Sequence, residues 1–414
     1  MKKNYLLKTV SAALVIASLS FVSCNTGDDN ENGGGVTPPA ENTELIGELT
    51  SNRTLGKDKV YSLTGGFHVK PGVTLTIEQG VKIVAKDDDI VDYILVEQGA
   101  KIDAQGTADN PIVMTAEREQ LGSWGGLHIC GKAPINVAGG TSKSEIGDAL
   151  YGGNDAGDNS GIMKYIRVEY AGYAFSEEKE GNGFTFYGVG NGTTVDYVQA
   201  FQGSDDGFEF FGGTVNVKHI VSTSNSDDSF DWTEGWRGCG QFMVAYQQDM
   251  TQLGYDCDAL MECDNNSKDA MAQPISHPIL SNLTLVGNNS QDEKRGIRLR
   301  AGTQVEIYNA IVKGKIKNLT TQTPETETAL SNNISKLQYI VLENTVTSED
   351  NGYGEEKFLA DGTNTVNAQI TLEDNFFGTL EGGVDAHGIN NFFDNVSYKG
   401  AISKDNNWMS GWTR

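Results

Sequence analysis

The sequence predicts an all-β chain wound as a single-stranded parallel β-helix. Three observations lead there. Apolar segments of three to five residues recur at offsets of 19 to 24 residues. Inside each segment apolar and polar residues alternate, the period of a strand. The segments are joined by corners rich in Gly, Asn and Asp. Gly alone is 50 of 414 residues, roughly 12% against a typical ~7%. Repeats of this length cannot bury their inward face alone, so stacked coils must share one core. With only 8 Pro and 21% charged residues, neither collagen nor a disordered acidic chain fits. A β-propeller is the runner-up, but no ~40-residue blade repeat is visible.

The chain begins with a leader. Lys2 and Lys3 precede an apolar run through Ala12-Ala13-Leu14-Val15-Ile16-Ala17, ending at Phe21-Val22-Ser23-Cys24. The run is too short and wrongly flanked for a stable span, so residues 1–23 read as a secretory signal peptide. The small residue before Cys24 makes the segment resemble a bacterial lipoprotein signal, with Phe21 where Leu is usual. That resemblance implies that Cys24 is lipidated and anchors the chain. Residues 24–44 then read as a tether: Asp28, Asp29 and Glu31, Gly33-Gly34-Gly35 and Pro38-Pro39 have nothing to bury. Acids just after the lipidated Cys resemble the surface-export signal of Bacteroidota lipoproteins. This implies the outer face of the outer membrane; a plain acidic linker facing the periplasm is the alternative.

The β-helix is assigned to residues 45–414. Ile77–Ala85 recurs as Val96–Ala104 at an offset of 19. Ser204-Asp205-Asp206-Gly207-Phe208-Glu209-Phe210 recurs as Ser226-Asp227-Asp228-Ser229-Phe230-Asp231-Trp232 at 22, and Gly183-Phe184-Thr185-Phe186 precedes by 24. Met261-Glu262-Cys263 and Gly296-Ile297-Arg298-Leu299 read as later copies. A mean coil of about 22 residues allows some twelve to fifteen coils.

Gly122-Ser123-Trp124-Gly125-Gly126-Leu127, Tyr151-Gly152-Gly153, Arg167-Val168-Glu169-Tyr170-Ala171-Gly172, the Asp-Asp repeats and the closing Trp408-Met409-Ser410-Gly411-Trp412 together resemble a family of bacterial surface lipoproteins. The family is common in Bacteroidota and usually carries no assigned activity. The resemblance implies a right-handed β-helix on the cell surface. It implies no mechanism.

In register, Phe208, Phe230, Met261 and Ile297 point inward, as do Phe210, Trp232, Cys263 and Leu299. Thr185, Glu209, Asp231, Glu262 and Arg298 then form an outward column. Asp205, Asp206, Asp227, Asp228 and Asp264 flank it, and Arg300 joins Arg298. Stacked like charges repel, which raises carboxylate pKa values unless something compensates. Three readings follow. Asp side chains cap solenoid corners by bonding the backbone. Asp205, Asp206, Glu209, Asp227, Asp228, Asp231, Glu262 and Asp264 hold Ca²⁺, which favours many hard oxygen ligands. Or Glu209, Asp231, Glu262 and Arg298 cleave a polysaccharide, since paired carboxylates suit glycoside hydrolysis. Asp205-Asp206 with Gly296-Ile297-Arg298 is superficially similar to polygalacturonase-type hydrolases, but no Asn-Thr-Asp or Gly-His-Gly accompanies them.

Charge narrows the partners. With 31 basic and 56 acidic residues the net charge is −25; losing Lys2, Lys3 and Lys8 with the leader makes it −28. Such a chain repels nucleic acid and disfavours polyanions unless a cation bridges them. Trp236, Tyr246, Arg298 and Arg300 are the candidate ligand-binding residues, with Trp232 and Tyr255 as further aromatics near the acids. Asn154–Asn159 forms a second acidic loop without EF-hand spacing. The five His are scattered without zinc-ligand spacing. Cys130, Cys239, Cys257 and Cys263 allow three disulfide pairings in an exported chain. Cys257 with Cys263 is the nearest pair, although Cys263 also reads as a buried thiol. The expectation is a non-enzymatic surface lipoprotein that binds a glycan, nutrient or outer-membrane receptor. A polysaccharide hydrolase or lyase and a structural adhesin are the alternatives.

Overall fold

A computed structural model describes residues 42–176, 179–290 and 294–414. The signal segment, Cys24 and the tether up to residue 41 lie outside the described residues. The first strand is Glu44–Leu49.

Strand after strand pairs in parallel with its counterpart one coil away. One row of paired positions runs Glu48, His68, Leu95, His128, Thr185, Glu209, Asp231, Glu262, Arg298, Thr320, Thr347. This row of a parallel β-helix has eleven rungs, and Val341 pairs in parallel with Thr365 one coil beyond it, at the lower end of the about twelve to fifteen expected. Loops take up the rest: a coil takes from 20 residues (Glu48 to His68) to 57 (His128 to Thr185). The antiparallel pairings among the described residues are three two-stranded pairs and one isolated bridge, all apart from the main sheet, so the propeller alternative falls. None of the described helices is long and apolar enough to cross a membrane.

The 19-residue repeat has a different meaning from the one expected. Ile77 and Val96 lie on different faces: Ile77 pairs with Leu55 and Ala104, whereas Val96 pairs with Val69 and Ile129. What repeats is the corner. In both copies a Glu carbonyl accepts the backbone N–H three residues on, from Val81 to Glu78 and from Ala100 to Glu97. The true coil here is 27 residues, Leu75 to Ile102.

Inward positions fill one continuous core. Phe184, Phe208 and Phe230 stack at 5.0 and 5.6 Å, and Phe186 lies 5.2 Å from Phe210. Such offset stacks add to the area that the rings bury. Trp236, expected at the surface as a ligand contact, is fully buried. Its ring packs 4.1 Å from Phe210 and its Nε1 donates to the Val215 carbonyl. It lies past the strand Phe230–Thr233, where strand alternation no longer tells which way a side chain points. Trp232 is core as well. The Gly-Ser-Trp-Gly-Gly motif is a packing device. Trp124 is buried, with Nε1 donating to the Glu169 carbonyl. A Cβ on Gly126 (φ +86) would meet the Asn182 carbonyl at 1.9 Å, so only glycine fits.

A second column marks the bend between the other two faces. Tyr165, Tyr197, His219, Phe242, Asn282 and Asn309 all adopt φ between 49 and 58. Each is a left-handed residue bought at some steric expense. Stacking repays it at Tyr165–Tyr197 (4.4 Å), Tyr197–His219 (4.2 Å) and His219–Phe242 (4.9 Å). Trp408 and Trp412, from the closing motif, pack edge-on against this ladder. Arg414 completes that strap. Its guanidinium sits over Tyr170 and Phe201 and pairs with Glu169 and Glu119.

The four cysteines among the described residues are all free thiols. Cys257 and Cys263 form no staple: Cys263 faces the core within its strand and Cys257 is buried in the preceding corner.

Candidate functional site

The acidic residues gather on one face because the coil offsets place them there. Glu209 pairs with Thr185 on one side and with Asp231 on the other; Asp231 pairs with Glu262, and Glu262 with Arg298. A strand-pair spacing of about 4.8 Å then separates successive members. Asp264 and Arg300 are likewise paired.

Beside this column runs a corner ladder. Asn182 Oδ1 accepts the Asp206 N–H (3.2 Å), Asp206 Oδ1 accepts the Asp228 N–H (3.0 Å), and Asp228 Oδ1 accepts the Ala259 N–H (2.6 Å). The corner-capping reading is therefore correct for one oxygen of each side chain. It leaves the charge unexplained, because Asn182 makes the same cap with no charge at all. Asn182 Nδ2 also donates to Glu209 Oε2 at 2.6 Å.

Among the described residues carboxylates converge in four groups, each with one oxygen per residue within 4.8 Å of the others. They are Asp206, Glu209 and Asp231; Asp228, Asp231 and Glu262; Asp205, Asp206 and Asp227; and Asp227, Asp228 and Asp258. The groups are related by one coil. Moving Asp206, Glu209 and Asp231 one rung along gives Asp228, Asp231 and Glu262. The same step takes the third group to the fourth. Asp231 belongs to both groups of the first kind, and its Oδ1 is buried with no hydrogen-bond partner.

The array is bounded. One rung before it stand the neutral Asn182 and Thr185. One rung after it stand arginines: Arg298 bonds Glu262 and Gln322, and Arg300 bonds Glu262 and Asp264. Arg298 and Arg300, expected as ligand contacts, are thus committed to acids of the array. Asp205, Asp206, Glu209, Asp227, Asp228 and Asp231 form no ion pair with Lys or Arg among the described residues.

Burial dominates the electrostatics. Asp205, Asp206 and Asp228 are at most 8% exposed. Loss of water, then repulsion from neighbouring acids, raises Asp227 to about 6 and Asp205 to about 8. Asp206, Glu209, Asp228 and Asp231 are pushed well above the ordinary range for the same reasons. Desolvation also lifts Glu262 and Asp264, with their arginines opposing it.

Three further residues belong to the site. Glu145, on the long insert after Cys130, is raised to about 7 by burial; its partner is the Tyr187 hydroxyl at 3.4 Å. Asp258 takes the place of Asp227 one rung on. Asn182 was legible by aligning Asn182-Gly183-Phe184 with Asp206-Gly207-Phe208; nothing local marks Glu145. Tyr246 lies on another face, in the strand Cys239–Tyr246, away from the acids. Tyr255 is not an open platform either: its hydroxyl donates to the Ser224 carbonyl. In the loop 154–159, Asp155 and Asp158 cap backbone N–H groups of Gly157 and Lys132, and neither joins a convergent acidic group among the described residues. The histidines are engaged singly, as with His219 on Asp196 and His128 on the Gly125 carbonyl.

Residues 47–413 match the model of the pectate-lyase-like β-helix domain. The chain belongs to that family. Among curated proteins and among solved structures, none matches it. For this pectate-lyase-like β-helix the family fixes a right-handed parallel solenoid; the site must be argued from its own residues.

The raised carboxylates set a pH dependence. An acid whose folded pKa exceeds its unfolded value of about 4 stabilises the fold below that value. The contribution is lost as pH rises through the folded values, here about 6 for Asp227 and about 8 for Asp205. In EDTA, the melting temperature is therefore expected to fall between pH 5 and pH 8. A flat or rising profile over that window would contradict the burial of these acids.

Proposed function

We propose that this chain is a lipid-anchored surface protein of a bacterial outer membrane whose β-helix binds calcium in the acidic array. The observation that carries the calcium reading is the comparison of Asn182 with Asp206 and Asp228. A neutral amide caps the corner with the same bond, so the carboxylates are not needed for the corner. Held without counter-charge they destabilise the fold. Six carboxylates without Lys or Arg partners among the described residues, and an orphaned buried oxygen on Asp231, are what a bound cation would offset. Hard oxygen donors in this number favour Ca²⁺ over softer metals. Of the four groups, the pair that shares Asp231 and its unpartnered oxygen supplies two such positions.

Binding is favoured over turnover. In the catalytic alternative Glu209, Asp231, Glu262 and Arg298 would act on a glycan, and the family description gives that reading a precedent. Here Arg298 is held by Glu262 and Gln322, and Glu262 is shared between two guanidinium groups. Neither is poised as a free acid or base. The anchor is supported by the leader and Cys24, and the outward orientation by the acidic tether. A glycan, nutrient or outer-membrane receptor is the class of partner that such a display serves.

Calorimetric titration of the chelated protein with CaCl₂ is expected to show about two ions bound, within the roughly 10⁻⁷–10⁻³ M range of oxygen-ligand sites. The Asp206→Asn/Asp228→Asn variant keeps both corner bonds and is expected to lose affinity by roughly tenfold or more, while melting no lower than the parent in EDTA. Unchanged affinity in that variant, or no binding by the parent, would defeat the reading. For the anchor, Cys24→Ala should abolish palmitate incorporation and release the protein from membranes; retention at the membrane without lipid would refute it.

A further inference from the structure

On a different face from the acids lies a cleft of about 290 Å³. Tyr246 forms one wall. It ends the strand Cys239–Tyr246, in which Met243 and Ala245 face the core, so Tyr246 faces out. Phe376 supports its ring at 5.1 Å, and Phe377 backs Phe376 at 4.5 Å. The aromatic wall is thereby fixed in place before any ligand arrives. Val286, paired with Tyr246 one coil on, lines the cleft too, together with Gly287, Leu372 and Asn375.

The rest of the lining is polar; its charged members are Asp249, whose carboxylate caps the Thr251 N–H, and Lys313. Asn289 and Asn375 bring amides; that of Asn288 is already held by Asp256 and Lys315. Gln247 is fully buried. Its Nε2 donates to the Asp258 carbonyl (3.1 Å), while its Oε1 has no hydrogen-bond partner. Lys313 is the one cation among the lining residues, and it is occupied by Glu343 (3.6 Å) and the Ile370 carbonyl (3.2 Å). An anionic ligand finds no free positive charge there, and a chain of net charge −25 repels it further. A lipid finds too little apolar wall.

We propose that this cleft binds one pyranose ring of a neutral saccharide. A pyranose has an apolar face for Tyr246 and hydroxyls on its edge for the amides. An aromatic wall with a few placed polar groups is how small-ligand sites combine affinity with orientation, and the volume sits near the lower end of such clefts, roughly 300–1,000 Å³. The inference rests on the proposed role as a surface-binding protein, but not on calcium: no convergent acidic group lies in this cleft.

Saturation-transfer NMR and calorimetry of the full chain in detergent, in EDTA, with cellohexaose, maltohexaose, xylohexaose and mannohexaose, test it. At least one is expected to bind without calcium. Tyr246→Ala should weaken that binding tenfold or more, and Tyr246→Phe should retain it, with both variants melting as the parent does. Asp206→Asn/Asp228→Asn should leave it unchanged. Failure of all four saccharides, or equal binding by Tyr246→Ala, would overturn the proposal. So would binding that requires calcium and is lost in the acidic-array variant but not in Tyr246→Ala; that result would leave the calcium reading standing.

Discussion

Parallel stacking brings every outward side chain to within about 5 Å of its counterpart one coil on, and the molecule is organised by how each column meets that closeness. Where the column is aromatic, rings stack, as at Tyr165, Tyr197 and His219. Where it is amide, side chains bond between coils, as Gln241 does to Asn282. Both solutions turn proximity into stabilisation, and Tyr165, Tyr197, His219 and Asn282 hold left-handed bends that would otherwise be strained. The strap carrying Trp408, Trp412 and Arg414 then seals the aromatic column from solvent.

The acidic column cannot use either solution. Carboxylates one rung apart repel, and burial strengthens that repulsion by removing water. At its far end the chain answers with Arg298 and Arg300. At its near end the acids give way to Asn182 and Thr185. Between those limits the charge is left open, across two coils and no further. A structural ladder would have no reason to begin and end so sharply, since the corners on either side are capped without it.

Much of this was legible in the sequence. Offsets of 22 and 24 residues put Thr185, Glu209 and Asp231 in register, and strand alternation told inward Phe208 and Phe230 from outward Glu209. What failed was whatever strand periodicity does not govern. Trp236 lies beyond its strand, so its burial depends on a corner path that no local pattern encodes. The 19-residue repeat was a repeated turn rather than a repeated coil. The coil count sits at the low end of what the length allows because loops of unequal length absorb residues without adding strands. Glu145 reaches the site on an insert, and the cleft at Tyr246 is lined in part by Leu372 and Asn375, over a hundred residues further along. Such long-range meetings leave no trace in local spacing.

The family supplies the scaffold, and the columns displayed on it supply the chemistry. The central claim is that the two-coil acidic array is a cation site. Anomalous diffraction from crystals grown with a lanthanide in place of calcium tests it most directly. The account predicts two peaks about 5 Å apart, one among Asp206, Glu209 and Asp231 and the other among Asp228, Asp231 and Glu262. An array without a peak, with the ion bound elsewhere or nowhere, would contradict it.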